Sequence, residues 1–369
     1  MSLVTQAQVR QGERPELSVV ICAYESRNDL ERLLPTLVNQ DVTLEIVVVD
    51  NHSQDGTGAF LAQTYPGVRY LRAPQNQGYG WASNWGIRVA EGRSVLVLNP
   101  DTEVEPHALK RLVEAADRHP RALITPKLIG DDGRLNACGL SIHMTGVSTC
   151  LGFGEDPDTV YGEFSVPAVS GAAIIGRRST WRALGGFDER YFLYMEEVEL
   201  SLRARLRGFG LYCAADAAVR HHYALALTAD KFYWLERNRL LTVAKHYSPE
   251  RLRQLRAALR VTRLLTLVYA VHRGRRFVQA HRAAGAYLRL HREELRRERW
   301  KSEQTQRISD AAIFRDMTAR LDLRQLVSEE RRRQHLEDWS ERVYRRWLKD
   351  GRLRPGGDAS VPEPRKASV

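Results

Sequence analysis

Cysteine is scarce in this sequence. There are four in 369 residues, Cys22, Cys138, Cys150 and Cys213, and no C-x-x-C pair among them. That pattern gives no zinc signal and fits a reducing compartment. Long apolar runs are missing too. The longest, such as LLTLVYAV ending at Val271, fall far short of the roughly 18 residues a membrane span needs. The opening MSLVTQAQVRQGERPE has no basic segment leading into an apolar core and no cleavage site, so no export signal is expected. Glycine is missing where a dinucleotide site needs it: LSVVICA is followed by YESRND, without G-x-G-x-x-G. The later GYGWAS lacks the third glycine, and no Walker A lysine motif occurs. Asp50 is therefore not the ribose acid of an NAD site. No internal repeat is visible.

What is present divides the chain in two. Residues 1–230 carry 22 Lys+Arg against 28 Asp+Glu, a net −6, whereas residues 231–369 carry 34 against 17, a net +17. An acidic part precedes a strongly basic one. With 43% hydrophobic residues the chain can bury a sizeable core and fill one large or two modest domains. We expect a leader over 1–16, an α/β domain over 17–230, a basic helical extension over 231–349 and a disordered tail over 350–369 rich in Gly, Pro and charge.

Strand and helix patterns alternate through the acidic part. LSVVICA (17–23), LEIVVVD (44–50), VRYLRAP (68–74) and VLVL (95–98) read as strands. They are apolar runs rather than alternations, so the sheet should be mainly parallel and covered on both faces. A helix is expected within 24–40, with Asn28 and Glu31 as a capping box and Pro35 as a kink or early end. Others run to about Thr64, through the latter part of NQGYGWASNWGIRVAEG with Gly92 as its stop, and from Pro106 as first residue to about Arg118. Further on, EEVELSLRARLRG reads as a helix and LYCA as a short strand before His221-His222. From Asp230 the chain reads almost wholly helical.

Ligands of such sheets bind at the carboxyl ends of the strands. Asp50 ends the second strand and Asp101 follows the fourth, so both fall on one edge. In VLVLNPDTEVEP, Pro100 keeps Asn99 out of the α region, and the strand ends by presenting Asp101 at that edge. A polar turn or a metal site would each explain the acid. Glu103 and Glu105 read as first-turn acids of the next helix, where its dipole favours them. Glu196, Glu197 and Glu199 open a helix whose later turns hold Arg203, Arg205 and Arg207, which the dipole alone would also explain.

Taken in order, VVICAYES, IVVVDNHSQDGT, NQGYGWASNWGI, LVLNPDT, VSGAAIIGRR, GGFDERYFLYMEEVELSLR and the following His221 resemble the motif series of family 2 glycosyltransferases. Within it they are most similar to the rhamnosyltransferase-like branch, whose strand-end metal motif is N-P-D rather than D-x-D. The resemblance covers about residues 17–245, and seven motifs in order are far more specific than any one. It implies a GT-A fold, a nucleotide-binding α/β sheet joined to an acceptor-binding half. The implied activity is metal-dependent, inverting transfer of a sugar from a dTDP- or UDP-sugar, with dTDP-rhamnose to the fore. The acceptor would be a saccharide or lipid-linked saccharide in cell-surface polysaccharide synthesis.

The same resemblance assigns residues. Ala23, Tyr24, Asp50, Asn76, Gly78, Asn99 and Asp101 would contact the donor. Asp101 and His221 would hold Mg2+ or Mn2+, ions suited to hard ligands, to neutralise the leaving diphosphate. Gly171, Gly186, Phe187 and Asp188 would line the acceptor side. The general base falls on Glu197, the second acid of the family's E-D pair, with Glu where Asp is usual; Glu196 stays open as an alternative.

Plainer readings stand beside these. Tyr24 also fits a loop aromatic on the core rim, Gly78 and Gly80 plain loop residues, and Asp188 a turn former. The two histidines also fit a pair satisfying backbone groups, with His221 ahead of His222 as a ligand. Trp181 reads as core. The rival of another class is a catalytically inert nucleotide-sugar-binding or scaffold protein of the same fold. A processive polymerase is disfavoured by the missing membrane spans and Q-x-x-R-W motif. From Arg251 to Arg292 there are eleven arginines and no acid, on a basic amphipathic pattern. That stretch fits an interfacial helix on an anionic membrane, or a helical subdomain or homodimer interface. Nucleic-acid binding is set aside, since no recognised module accompanies the charge. Residues 293–349 mix both signs and read as solvated helix. The expected location is cytoplasmic, peripheral on the inner face of the plasma membrane if the stretch is interfacial.

Overall fold

A computed structural model describes residues 14–346, except Asn39, Ala224, Leu225 and Ser328. The tail expected over 350–369, and all but the last three residues of the expected leader, lie outside the described residues. The apolar runs become strands: β1 (Leu17–Ala23), β2 (Leu44–Asp50), β3 (Arg69–Arg72) and β4 (Ser94–Leu98), parallel in the order β4-β1-β2-β3. β1 is buried along its whole length, which is why its sequence does not alternate. Beyond β4 the sheet continues with the antiparallel strand Ala173–Arg177. Next come β6 (Ala122–Ile129) and, parallel to it, the long strand Gly210–His221. A short β5 (Thr102–Val104) pairs antiparallel with the end of that long strand.

Helices cover both faces. Leu17, Val19 and Ile21 of β1 pack with α1 (Arg27–Val38), α2 (Thr57–Thr64) and α4 (Ala108–Arg118). Val20 and Cys22 point the other way, toward α3 (Tyr79–Val89), α5 (Arg178–Leu184) and α6 (Glu196–Leu206). This is the period-2 geometry of a strand expressed in two separate cores. Trp181 is fully buried, as expected of a core residue, with its indole N–H donated to the Val95 carbonyl (3.0 Å).

Several local expectations are corrected. Asn28 lies inside α1, not at its cap; the amide of Arg27 is satisfied instead by Asp55 Oδ2 (2.8 Å), from the turn after β2. α3 ends at Val89, before Gly92. That glycine is needed for close approach, because a Cβ there would lie 2.5 Å from the Ser18 nitrogen. α4 starts at Ala108, two residues after Pro106, and Glu103 and Glu105 do not sit in its first turn. Glu103 lies on β5 instead, and Glu105 pairs with Arg220 (2.7 Å), because strand pairing with residues 219–221 outcompetes helix extension.

The basic part is helical: α7 (Ala229–His246), α8 (Pro249–Gln254), α9 (Arg256–Arg273), α10 (Arg275–Leu290), α11 (Arg292–Thr305), α12 (Asp310–Phe314) and α13 (Glu330–Arg346). Gly274, at φ 101°, separates α9 from α10. One apolar cluster joins Leu202 and Leu206 of α6 to Leu241, Ala258, Leu295, Phe314 and Tyr344. The mixed-charge stretch is therefore not simply solvated: Tyr344 is fully buried and hydrogen-bonded to Thr262 (2.7 Å). Among the described residues no helix is long and apolar enough to cross a membrane.

Candidate active site

Because β1, β2 and β4 run parallel, their carboxyl ends share one edge. After β4 the chain crosses that edge. The Asn99 amide donates to the Ala172 carbonyl (2.8 Å), and the Thr102 hydroxyl donates to the Asn99 carbonyl (2.7 Å). β5 then sets Thr102 opposite His221, bringing Asp101 beside that imidazole. His221 is 8% exposed. Its Nδ1–H donates to Asn136 Oδ1 (3.0 Å), which leaves the Nε2 lone pair toward Asp101 Oδ1, 3.6 Å away. Both facing atoms are buried and have no hydrogen-bond partner.

Two acceptors placed this way are unfavourable alone and favourable around a shared cation. A carboxylate oxygen with an imidazole whose second nitrogen is anchored by an amide oxygen fits a divalent ion. Among the described residues no group of three or more His, Cys, Asp or Glu converges as a metal cage. The chain would thus offer Mg2+ or Mn2+ two ligands, with ligand oxygens and water completing the shell. His222 is turned elsewhere. Its Nδ1 meets Asp131 (2.5 Å) and its Nε2 Glu103 (2.8 Å), hydrogen bonds that raise its pKa against the effect of burial.

On the donor side, Ala23 pairs with Asp50, which puts the half-exposed Tyr24 on the same edge. Asp50 is fully buried. Its Oδ1 accepts from the Ser53 amide (2.7 Å), its Oδ2 from the Tyr70 hydroxyl (2.5 Å) and from Arg72 (3.3 Å). The carboxylate therefore shapes the turn after β2 and offers no free oxygen. Asn51 binds the next loop: its amide donates to Asn76 Oδ1 (2.9 Å) and the Gly78 carbonyl (3.1 Å). Gly78 has φ 89°, and a Cβ on it would lie 2.5 Å from the Phe192 carbonyl oxygen. Only glycine allows that approach. The Tyr79 amide donates to the same carbonyl (2.7 Å), docking the loop against the run that carries the acids.

That run is strained. Phe192 (φ 54°), Tyr194 (φ 65°) and Met195 (φ 69°) all take left-handed conformations, which non-glycine residues adopt at a cost. Asn238 of α7, fully buried, holds the run in place. Its side-chain amide donates to the carbonyls of Tyr191 (2.9 Å), Leu193 (2.9 Å) and Tyr194 (2.6 Å). The chain then enters α6 at Glu196 and Glu197. Burial, and next the neighbouring Glu197, push Glu196 well above the carboxylate range. Burial lifts Glu197 to about 7. Glu197 is the more open of the two and borders Gly171, where a Cβ would come 3.4 Å from its Cγ. Both carboxyls are thus held above the usual range, and Glu197, at about 7, can take up a proton near neutral pH, as a general base must. Glu199 faces away; against burial, Arg203, Lys245 and His246 hold it well below the usual range.

Of the expected acceptor-side residues, only Gly171 borders the acids. Gly186 (φ 70°) has no room for a Cβ beside Asn84. Phe187 is buried against Tyr79 and Trp181, with ring centroids 5.7 and 5.5 Å away. The Asp188 carboxylate is engaged by Arg190 (2.6 Å) and Lys245 (2.7 Å), which overcome burial and bring it to about 2. These three support the site from behind, and Asp188 has an ion pair where a sugar hydroxyl was expected. Asn136, Tyr194, Tyr223, Lys231 and Asn238 were not singled out by sequence. Asn136 comes from the short strand Leu135–Ala137, Tyr194 from within the GGFDERYFLYMEEVELSLR run, Tyr223 from just after His221, and Lys231 and Asn238 from α7, a helix without a motif.

Residues 18–183 match the family model described as Glycosyl transferase family 2. The chain is 35% identical over 240 residues to the N-acetylglucosaminyl-diphospho-decaprenol L-rhamnosyltransferase of Mycobacterium tuberculosis, covering 58% of this chain and 78% of that relative. It is 25% identical over 240 residues to rhamnosyltransferase WbbL of Escherichia coli, covering 58% and 88%. Among solved structures, GalNAc-T7 with UDP, GalNAc and Mn2+ superposes with a TM-score of 0.52 at 18% identity, over 63% of this chain and 48% of that one.

Proposed function

The chain belongs to glycosyltransferase family 2, with a rhamnosyltransferase-like sequence and a GT-A fold, and on that premise we propose its reaction. It transfers L-rhamnose from dTDP-rhamnose, with inversion, to a saccharide carried on a lipid diphosphate in polysaccharide synthesis. The choice of sugar rests on what the M. tuberculosis and E. coli relatives are named for, and that of the acceptor on the M. tuberculosis relative's name alone. The observation that carries the reading is the unpartnered Asp101–His221 pair at the strand edge, in a site that also holds Glu197.

Tyr24 offers a ring face to the nucleotide base, and the Gly78 loop lets backbone approach the donor. A Mg2+ or Mn2+ ion held by Asp101 and His221 would neutralise charge on the departing diphosphate. Glu197 takes the proton of the acceptor hydroxyl as its oxygen bonds to the anomeric carbon. The bond from that carbon to the diphosphate oxygen breaks, and its electron pair leaves with dTDP. One base opposite one leaving group gives inversion.

The lipid-linked acceptor would be met at an anionic membrane surface. Leu264, Val268 and Val271 form a ridge on α9, 58, 58 and 62% exposed. Exposed Arg256, Arg260, Arg273, Arg275 and Arg276 surround it. The deciding experiment incubates the protein with Mn2+, dTDP-rhamnose and N-acetylglucosaminyl diphosphate on a short prenyl chain. A rhamnosylated product identified by mass supports the reading. Transfer from UDP-sugars but not from dTDP-rhamnose would overturn the donor.

A further inference from the structure

α7 belongs by composition to the basic extension, yet its first turn enters the active site. The Thr228 hydroxyl accepts from the Lys231 backbone amide (3.2 Å) and caps the helix. The Lys231 side chain lies over two rings, its ammonium 5.3 Å from the centroid of Tyr223 and 5.9 Å from that of Tyr194. Tyr223 in turn stacks on His221, with centroids 5.4 Å apart and planes at 8°. Tyr194 stands on the strained run just before Glu196. Lys231 and the imidazole that faces Asp101 thus share Tyr223 as a neighbour.

We propose that Lys231, seated on Tyr194 and Tyr223, is a direct ligand for a diphosphate beside the Asp101–His221 pair. The assignment rests on the glycosyltransferase reading above. Among the described residues no carboxylate forms an ion pair with this ammonium, although ion pairs are plentiful elsewhere in the same helix. Ring faces hold a cation in place without neutralising it, so its charge stays available to an incoming anion. Helix stability does not explain the residue, because a lysine in the first turn opposes the dipole. The site needs the charge: Asp101, and Glu197 once ionised, would repel a diphosphate. Lys231 offsets them from the side of the extension, opposite the metal pair contributed by the sheet.

Two diphosphates share this chemistry, that of the donor and that of the lipid-linked acceptor. The test is calorimetric titration of wild type, Lys231→Met and Lys231→Arg with inorganic pyrophosphate, dTDP and thymidine, in EDTA and in Mn2+. Methionine keeps an apolar stem over the rings, and thermal melts should show all three proteins equally folded. Pyrophosphate affinity should fall about tenfold or more in the Met variant. Arginine should retain most of it, and thymidine should bind all three alike. A parallel loss for dTDP assigns the donor diphosphate. Unchanged dTDP affinity with an acceptor KM raised about tenfold, for the short-chain prenyl diphosphate, assigns the acceptor. Equal pyrophosphate affinity in wild type and the Met variant, or none in wild type, overturns the proposal. A wild type that binds pyrophosphate but no nucleotide in Mn2+ would count against the rhamnosyltransferase reading, and the pyrophosphate comparison would still decide on Lys231.

Discussion

Asp101 and His221 face each other across a strand pairing, Oδ1 to Nε2 at 3.6 Å, both buried and both without a hydrogen-bond partner. At that distance no hydrogen bond joins them, and the Nδ1–H of His221 is already committed to Asn136. The arrangement fits two positions in the coordination shell of a divalent ion.

Replacing either ligand should therefore remove metal-dependent nucleotide binding. Asp101→Ala and His221→Ala are expected to weaken dTDP binding in Mn2+ by about 100-fold or more. Asn136→Ala, which only orients the imidazole, should cost about 10- to 100-fold in metal affinity. Calorimetry with and without EDTA measures both. An Asp101→Ala protein that binds dTDP as tightly as wild type in Mn2+ would refute the ligand assignment.

Glu197 must be ionised to accept a proton, and burial lifts it to about 7. Activity should rise with pH through a limb centred near 7. Glu197→Gln should lose roughly 100- to 10,000-fold in kcat while still binding dTDP. The sign for stability follows from the same shift. The folded protein holds this proton more tightly than the unfolded chain, so its stabilising contribution is present below about pH 4.5 and is lost as pH rises toward 7. The Gln variant should thus gain in Tm relative to wild type more at pH 8 than at pH 5. Persistent turnover in Glu197→Gln would move the base to Glu196.

Asn238 holds the strained run with one amide group on three carbonyls. Asn238→Asp replaces donors with acceptors and should be worse than Asn238→Ala. Each change is expected to cost on the order of 1–3 kcal/mol of stability. Each should lower kcat more than donor affinity, because the run aims Glu197. Melting curves and steady-state kinetics on the two variants test this. Unchanged kcat in Asn238→Asp would mean that packing alone sets the loop.

The ridge on α9 is expected to bind vesicles containing phosphatidylglycerol at low salt and to release them as salt rises. Leu264→Asp with Val268→Asp should abolish co-sedimentation and leave dTDP binding intact. Failure of wild type to sediment with such vesicles, together with a concentration-dependent mass in solution, would assign the ridge to a dimer.

Much of this was legible in one dimension. β1, β2 and β4 are uninterrupted apolar runs because both faces of the sheet are covered, so local composition alone identified them. Asp50 and Asp101 fell on one edge because parallel strands end on the same side. Other residues misled for a physical reason. Glu103 and Glu105 have good helix-dipole credentials, yet β5 forms because its partner strand, over 100 residues later, offers a ladder. Asp188 looks like a sugar-binding acid until Lys245 arrives from α7.

Periodicity and strand direction, read from the chain alone, gave the layered α/β architecture and the edge at which a ligand binds, while the acids able to act there came with the resemblance to family 2 glycosyltransferases. Only the tertiary structure decided which atoms are free and which are spent. It separated Asp101 from Asp50, His221 from His222 and Glu197 from Glu199. It also brought Lys231 and Asn238 to a site that no local pattern connects them with. Hydrogen-bond satisfaction and burial are properties of the packed chain, and they depend on neighbours distant in sequence.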